Sequence, residues 1–360
     1  ARGCPVAVSV FKGNTGDPKT LRPQVERVRE DFGIARLVLV GDRGLISETQ
    51  ITALRARPGV DWITALKTGA IRDLVAGGHL QLGLFDERNL FELHSPDFPG
   101  ERLVACRNPE LATLRARKRQ ALLDATMREL EKVRGMVARG KLKGRDAIGV
   151  RVGKVINKDK VANHFRLDIR DDGFAFHLDE AQIATEAALD GLYVIRTSVP
   201  PERLDAADTV RSYKQLSAVE RAFRSLKTLD LKVRPIYHRR EVRVRAHIFL
   251  CLLAYYVEWH MREAWRPLLF ADEDQAAKAT RDPVAPAKRS AGALRKVHAK
   301  VLDDGTPIHS FPTLLKALSG IVRNVCRRPG AGPKEATVEI LTTPTPHQQR
   351  AYELLNTIMM

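Results

Sequence analysis

Cysteine is scarce in this chain of 360 residues, with four thiols at Cys4, Cys106, Cys251 and Cys326. They are far apart, and none has the Cys-x-x-Cys or Cys–His spacing of a zinc site. Isolated cysteines are typical of reduced thiols in a reducing compartment. The sequence therefore argues against a disulfide-built scaffold and against structural zinc.

Long hydrophobic runs are missing as well. The longest, residues 246–257, is about half of what a bilayer crossing needs, and it already contains His247. No signal peptide is visible, and there are no internal repeats. We therefore expect a soluble protein with no membrane partner.

Acidic residues are fewer than basic ones, 43 against 60, which gives a net charge of +17 spread along the whole chain. Such a charge favours a polyanionic partner, because each phosphate that Lys or Arg neutralises releases a counterion. Charge alone does not separate DNA from RNA or from an anionic membrane. With 44% apolar residues, the chain can bury one large core or two smaller ones.

The first 80 residues alternate between strand and helix patterns and predict an α/β fold. We expect strands at residues 5–11, 36–41 and 61–67, and helices at 19–31, 47–57 and 69–76. The strand at 36–41 looks fully buried, and Asp42 and Arg43 follow it, at the edge where α/β sheets bind ligands. Asp42 is therefore a candidate functional residue, although a lone Asp in this place is also typical of a cap or turn.

Residues 81–200 have a different character, and we interpret them as an inserted subdomain. We expect a long helix at 109–138 and strands at 90–93, 102–106, 165–169, 174–177 and 192–197. Further on, residues 241–263 predict a helix with a buried middle, residues 271–290 a surface loop or linker, and residues 311–323 another helix.

Residues 213–227 contain no Pro or Gly and predict one continuous helix. Apolar residues recur at helical spacing and predict a buried stripe: Leu216, Val219, Phe223 and Leu226. Polar residues fall beside that stripe: Tyr213, Glu220, Arg224 and Lys227. They form either a solvated face with ordinary ion pairs or a carboxylate site with cations aimed at a nucleic-acid backbone.

In order and spacing, these pieces resemble the DDE transposases of bacterial insertion sequences, of the IS-four type. The resemblance covers most of the chain. Its carrying segments are residues 13–17, 40–44, 164–165, 186–193, 213–227 and 234–238, with His247. Two positions depart from the family's pattern, with Leu216 where Arg is expected and Asn163 where Lys is expected.

The resemblance implies a ribonuclease-H-like core in which three carboxylates hold two Mg²⁺ or Mn²⁺ ions for phosphodiester cleavage. Asp42 matches the second Asp and Glu220 the final Glu, so both are expected to be catalytic metal ligands that come together in space. The first Asp is expected upstream of these 360 residues. Further residues are expected to contact DNA: Tyr213, Arg224, Lys227, Arg43 and His238.

The same resemblance assigns residues 1–80 to the first part of the core, 81–200 to an insertion between the second Asp and the Glu, 201–265 to the second part of the core, and 266–360 to a linker and tail. It implies action on double-stranded DNA by a homodimer in the bacterial cytoplasm, associated with the nucleoid when bound. Two alternatives stay open: an inactive fragment that only binds DNA, and a basic RNA-binding or structural protein.

Overall fold

The computed structural model describes residues 3–229, 231, 233–274, 280–285, 288–330, 332 and 336–358. The chain divides into two compact units. The sheet unit comprises Gly16–Leu216 and Asp282–Pro286; the helical unit comprises Ala1–Thr15, Ser217–Arg281 and Ala287–Met360. Each is described by itself.

The sheet unit is built on a five-stranded mixed sheet in the order β1-β2-β7-β4-β3, with β5 and β6 in a separate hairpin. The strands are β1 (Leu37–Val40), β2 (Val60–Ala65), β3 (Leu90–Leu93), β4 (Arg102–Arg107), β5 (Phe165–Ile169), β6 (Phe174–Leu178) and β7 (Leu192–Thr197). β1 and β2 are parallel and the other neighbours are antiparallel. The predicted α/β class is confirmed, and strands of the predicted insertion share this sheet with β1 and β2.

The described helices of the sheet unit include all four that the sequence predicts. They are α1 (Asp17–Asp31), α2 (Glu48–Arg55), α3 (Thr68–Ala76), α4 (Pro109–Ala138), α5 (Arg145–Lys158), α6 (Glu180–Ala187) and α7 (Ala206–Lys214). The sequence does not predict α5, α6 or the part of α7 before Tyr213. Gly149 and Gly153 weaken the helical signal of α5, and α6 has only eight residues.

Alternating side chains of the sheet fill a core on each face. Leu103, Ala105 and Val194 pack with α3 on one side, whereas Val104, Cys106 and Ile195 pack with Val210 of α7 on the other. α4, α5, β5 and β6 form a further core of their own around Leu130, Ile148 and Phe165. We call this part the α4–α5 lobe.

The helical unit has its core at Trp265, whose Nε1 donates to the carbonyl of Ala351 at 2.8 Å, with Leu268, Phe311 and Leu314 around it. Its described elements are α8 (Leu216–Arg224), a π-helical turn (Ser225–Leu229), α9 (Glu241–Ala264), α10 (Ala291–Ala299), α11 (Phe311–Leu318), β8 (Arg323–Cys326), β9 (Val338–Leu341) and α12 (Pro346–Leu355). No helix in the described ranges combines the length and hydrophobicity that crossing a bilayer requires.

Three predictions of secondary structure are wrong. Residues 5–11 form no strand, because they belong to none of the sheets that the described residues build. The helix predicted to end at Arg323 ends at Leu318, and Arg323 begins β8. The helix predicted over 213–227 is interrupted at Gln215, so that Tyr213 lies in α7 and Glu220 in α8.

Three predictions of burial are also wrong. β1 is only half-buried, because it is an edge strand. On α8, Val219 and Phe223 are 46% and 53% exposed, and the apolar middle of α9 is exposed at Phe249 and Leu250. Helical periodicity predicts which residues share a face, but it does not provide the element that covers that face. The loop predicted over 271–290 lies partly outside the described residues.

Gly191 lies where α4 begins beside the sheet, and its φ is +75°. A Cβ there would lie 2.3 Å from the carbonyl oxygen of Asn108. Gly144 has a similar φ of +85° and open space where its Cβ would be.

We expect Gly144→Ala to cost about 1 kcal/mol through the left-handed backbone alone, and Gly191→Ala about 3 kcal/mol or more through backbone and clash together. Urea unfolding of both variants measures the difference, and equal costs would contradict the close approach.

Candidate functional site

A cavity of about 600 Å³ opens in the sheet unit where β1 and β2 end. Asp42 and Arg43 lie just after β1, Ala65 is the last residue of β2, and Leu66 follows it. Its other lining residues come from α3, α4, the segment after α5, α6, the residues just before and within β7, and α7. The apolar part is formed by Leu66, Ile71, Leu122, Val161, Leu189 and Leu192, and the rim is charged. The cavity thus lies at the sheet edge where the sequence predicts a ligand.

Asp42 is an exposed carboxylate in a fixed orientation. Its Oδ1 accepts hydrogen bonds from the backbone N–H groups of Gly44 at 2.9 Å and Leu45 at 2.7 Å. Oδ2 has no hydrogen-bond partner within the described residues. Asp42 is therefore a turn residue, and it also offers one free oxygen at the cavity.

Two polar pairs form the far wall of the cavity. Arg119 of α4 donates to both oxygens of Asp190, at 3.0 and 2.5 Å, and this pairing raises the pKa of Arg119. The Nε2 atom of His164 contacts Oε2 of Glu186. Residues 164, 186 and 190 are among those that carry the family resemblance, and the fold brings them to the same cavity as Asp42.

Four exposed cations line the cavity without an ion-pair partner among the described residues: Arg43, Arg115, Lys118 and Lys160. Arg115 and Lys118 are three residues apart on α4, so they share a face with Arg119. Arg43 is predicted from the sequence as a DNA contact, whereas the other three cations are not. The run of basic residues at 115–119 was the available signal.

Lys160 has a left-handed backbone with φ of +56° just after α5. Glycine is the usual residue at such a position, because an L-residue there costs about 1–2 kcal/mol. A strained lysine at the rim of a cavity is a candidate functional residue.

Two tyrosines lie at the cavity. Tyr213, a predicted DNA contact, is half-buried in the last turn of α7. Tyr193 of β7 is largely buried, and burial raises the pKa of its hydroxyl well above its usual range. Tyr193 therefore contributes a neutral ring and hydroxyl to the wall.

The other predicted site residues belong to the helical unit. Glu220 is exposed on α8, with no hydrogen bond or ion pair among the described residues. Arg224 is exposed at the end of α8, and the Nζ of Lys227 lies 5.2 Å from the ring centroid of Phe223. The ring of His238 lies 5.6 Å from that of His247. The convergence of Glu220 with Asp42 stays a prediction.

A metal site is not assembled by the described residues, which bring no three His, Cys, Asp or Glu side chains together in a suitable cluster. Asp42 still fits one ligand of a hard cation, because carboxylate oxygen is what Mg²⁺ and Mn²⁺ prefer and its Oδ2 is free. Glu220 fits a second ligand by the same chemistry.

Comparison with known proteins identifies the family of the chain. A family model described as "Transposase DDE domain" matches residues 1–257. The chain therefore belongs to the DDE transposases, a class of nucleases and transferases that act on DNA and generally use divalent metal ions. Neither the curated proteins nor the solved structures include a significant match.

Lys160→Gly is expected to stabilise the chain by about 1 kcal/mol, since glycine removes the left-handed strain, and to weaken DNA binding through the lost cation. Lys300 is a matched control, because its φ is +60° at the end of α10 and it does not line the cavity. Urea unfolding and DNA titration measure both effects. A Lys160→Gly variant that binds DNA as Lys300→Gly does would remove Lys160 from the interface.

Arg115→Gln and Lys118→Gln should each weaken DNA binding and lower the slope of log K against log salt by about 0.9, because each removes one phosphate contact. Arg117→Gln is the control, since Arg117 is exposed on the same helix but does not line the cavity. Fluorescence anisotropy between 50 and 200 mM salt, about the range over which such contacts are distinguished, gives the slopes. An equal slope for all three variants would show that α4 contributes only diffuse charge.

Proposed function

We propose that this chain is the catalytic region of a transposase of the IS-four type, which cleaves DNA at insertion-sequence ends and joins it to a target. The observation that carries the proposal is the cavity beside Asp42. The Oδ1 atom of this carboxylate is hydrogen-bonded, its Oδ2 atom has no hydrogen-bond partner within the described residues, and four cations without an ion-pair partner among those residues line the same cavity. A carboxylate for a metal and cations for phosphates are the two components that phosphodiester chemistry needs.

Asp42 and Glu220 would hold Mg²⁺ or Mn²⁺. The bound ions would supply Lewis-acid stabilisation of the phosphoryl oxygens and activation of a water or 3′-hydroxyl. The backbone N–H groups of Gly44 and Leu45 hold the Asp42 carboxylate in one orientation, so a ligand oxygen is preorganised before DNA binds. The ribonuclease-H-like arrangement of the core, which brings Glu220 to Asp42, is part of the proposal.

The cations position the DNA backbone. Arg43, Arg115, Lys118 and Lys160 surround the cavity and would bind the phosphates next to the scissile bond, with Tyr213 as a hydrogen-bonding partner. From the helical unit, Arg224, Lys227 and His238 would bind further phosphates. The α4–α5 lobe would grip the end DNA, because its first helix carries two of the cations.

The partners we propose are double-stranded DNA, as insertion-sequence end and as target, and a second copy of the chain in the active complex. The site of action would be the bacterial cytoplasm, at the nucleoid when DNA is bound. These assignments rest on the family and on the net charge of +17.

One observation favours the alternative of an inactive chain that only binds DNA. Within the described residues no cluster of three metal-ligating side chains forms, and two carboxylates bind divalent ions more weakly than three. The cation-lined cavity is compatible with both functions, so the decisive measurement is catalysis.

Asp42→Asn and Glu220→Gln should each lower Mn²⁺-dependent nicking and strand transfer by on the order of 10² or more, because each removes a carboxylate that would hold a metal ion that stabilises the transition state. DNA ends labelled at one strand, resolved on denaturing gels, report both reactions. DNA affinity without metal should stay near that of the parent, since neither carboxylate binds phosphate directly.

Asp86→Asn and Glu202→Gln are matched controls, because both acids are exposed and neither lines the cavity. Equal activity of Glu220→Gln and Glu202→Gln would remove Glu220 from the mechanism. A parent chain that binds DNA but never nicks it would support the inactive alternative. Preferential binding of RNA would support the alternative of a basic RNA-binding protein.

A further inference from the structure

The segment between the π-helical turn and α9 exposes an aromatic ring among cations. Tyr237 is 86% exposed. Arg234, Arg239 and Arg240 are exposed too, and none of them makes an ion pair within the described part of the chain. These four exposed side chains lie within seven residues of sequence, and we call this segment the Tyr237 loop (residues 234–240).

The Tyr237 loop is held on α9 by contacts on either side of Tyr237. The Nε2 atom of His247 lies 3.3 Å from the carbonyl oxygen of Val233, just before the loop. The ring of the same His247 packs against the ring of His238, at an interplanar angle of 64°. One histidine of α9 therefore contacts the chain on either side of Tyr237, which leaves that side chain pointing into solvent on a supported backbone.

Single exposed tyrosines are common on protein surfaces and need no explanation. The combination here is more specific. Proteins that bind single-stranded nucleic acid place aromatic rings, on which bases stack, beside cations that follow the phosphates. A ring on a supported loop also loses little conformational freedom when it binds.

We propose that Tyr237 stacks on an unpaired DNA base while Arg234, Arg239 and Arg240 bind the neighbouring phosphates. The inference rests on the proposed function, because it takes the DNA of a cleaved or opened end as the ligand. It adds a base contact in the helical unit, whereas the cavity residues of the sheet unit contact the backbone. Such a contact requires a base outside the duplex stack, as at a nicked end.

The test uses the full chain without metal and two single-stranded DNA oligomers of equal phosphate number, one with bases and one built of abasic sites. Replacing Tyr237 with Ala should weaken binding of the base-containing oligomer by about 5- to 150-fold, the range for one stacked base, and leave the abasic one unchanged. Tyr237→Phe should bind as the parent does, because stacking needs the ring and not the hydroxyl. Arg239→Gln should weaken binding of both oligomers equally.

Tyr352→Ala is the matched control, since Tyr352 is an exposed tyrosine of α12 in the same unit. Equal affinities of Tyr237→Ala and Tyr352→Ala for the base-containing oligomer would overturn the inference, as would base-dependent binding seen only with RNA. Because Tyr237 is so exposed, its replacement should leave the unfolding midpoint unchanged. The nicking assay on Asp42→Asn is independent, so a failure of catalysis and a failure of base stacking are separate results.

Discussion

The paired hydrogen bonds between Arg119 and Asp190 are the constraint on which the cavity depends. Both side chains are nearly buried, 13% and 11% exposed, and the guanidinium fork meets both carboxylate oxygens. This geometry fixes α4 against the turn before β7, where Gly191 lets the backbone of Asn108 approach closely. Arg115 and Lys118 lie on the same helix, so the contacts that fix α4 also place these two cations at the cavity.

Local pattern predicted most elements of the sheet unit. Strand-like segments predicted β2, β4 and β7, and helical spacing with Pro109 at the first turn predicted α4. Asp42 was predicted as a site residue because the end of a buried-looking strand is a position that sequence alone identifies. The cavity-lining cations Arg115, Lys118 and Lys160 were missed, because tertiary contacts such as Arg119 with Asp190 decide which residues line the cavity.

The errors of the sequence analysis have a common physical origin. Val219 and Phe223 have the periodicity of a buried face and the middle of α9 is apolar nearly all round, yet both are exposed. Periodicity is a property of one segment, whereas burial is a property of a pair of segments. The interruption at Gln215 is a similar case, since helix propensity is high on both sides of it and nothing local marks the break. The predicted meeting of Asp42 and Glu220 depends on such non-local packing.

The position of β1 at the border of the sheet has a consequence for handling the protein. Its backbone is hydrogen-bonded to β2 on one side, and none of the described strands pairs with its other side. An unpaired edge strand can pair with an extended segment of a neighbouring molecule, and charged side chains on the edge discourage such pairing. Arg36 and Arg43 bracket the strand and supply such charge. Solubility at high concentration is therefore expected to depend on ionic strength, because salt screens the repulsion between those guanidinium groups.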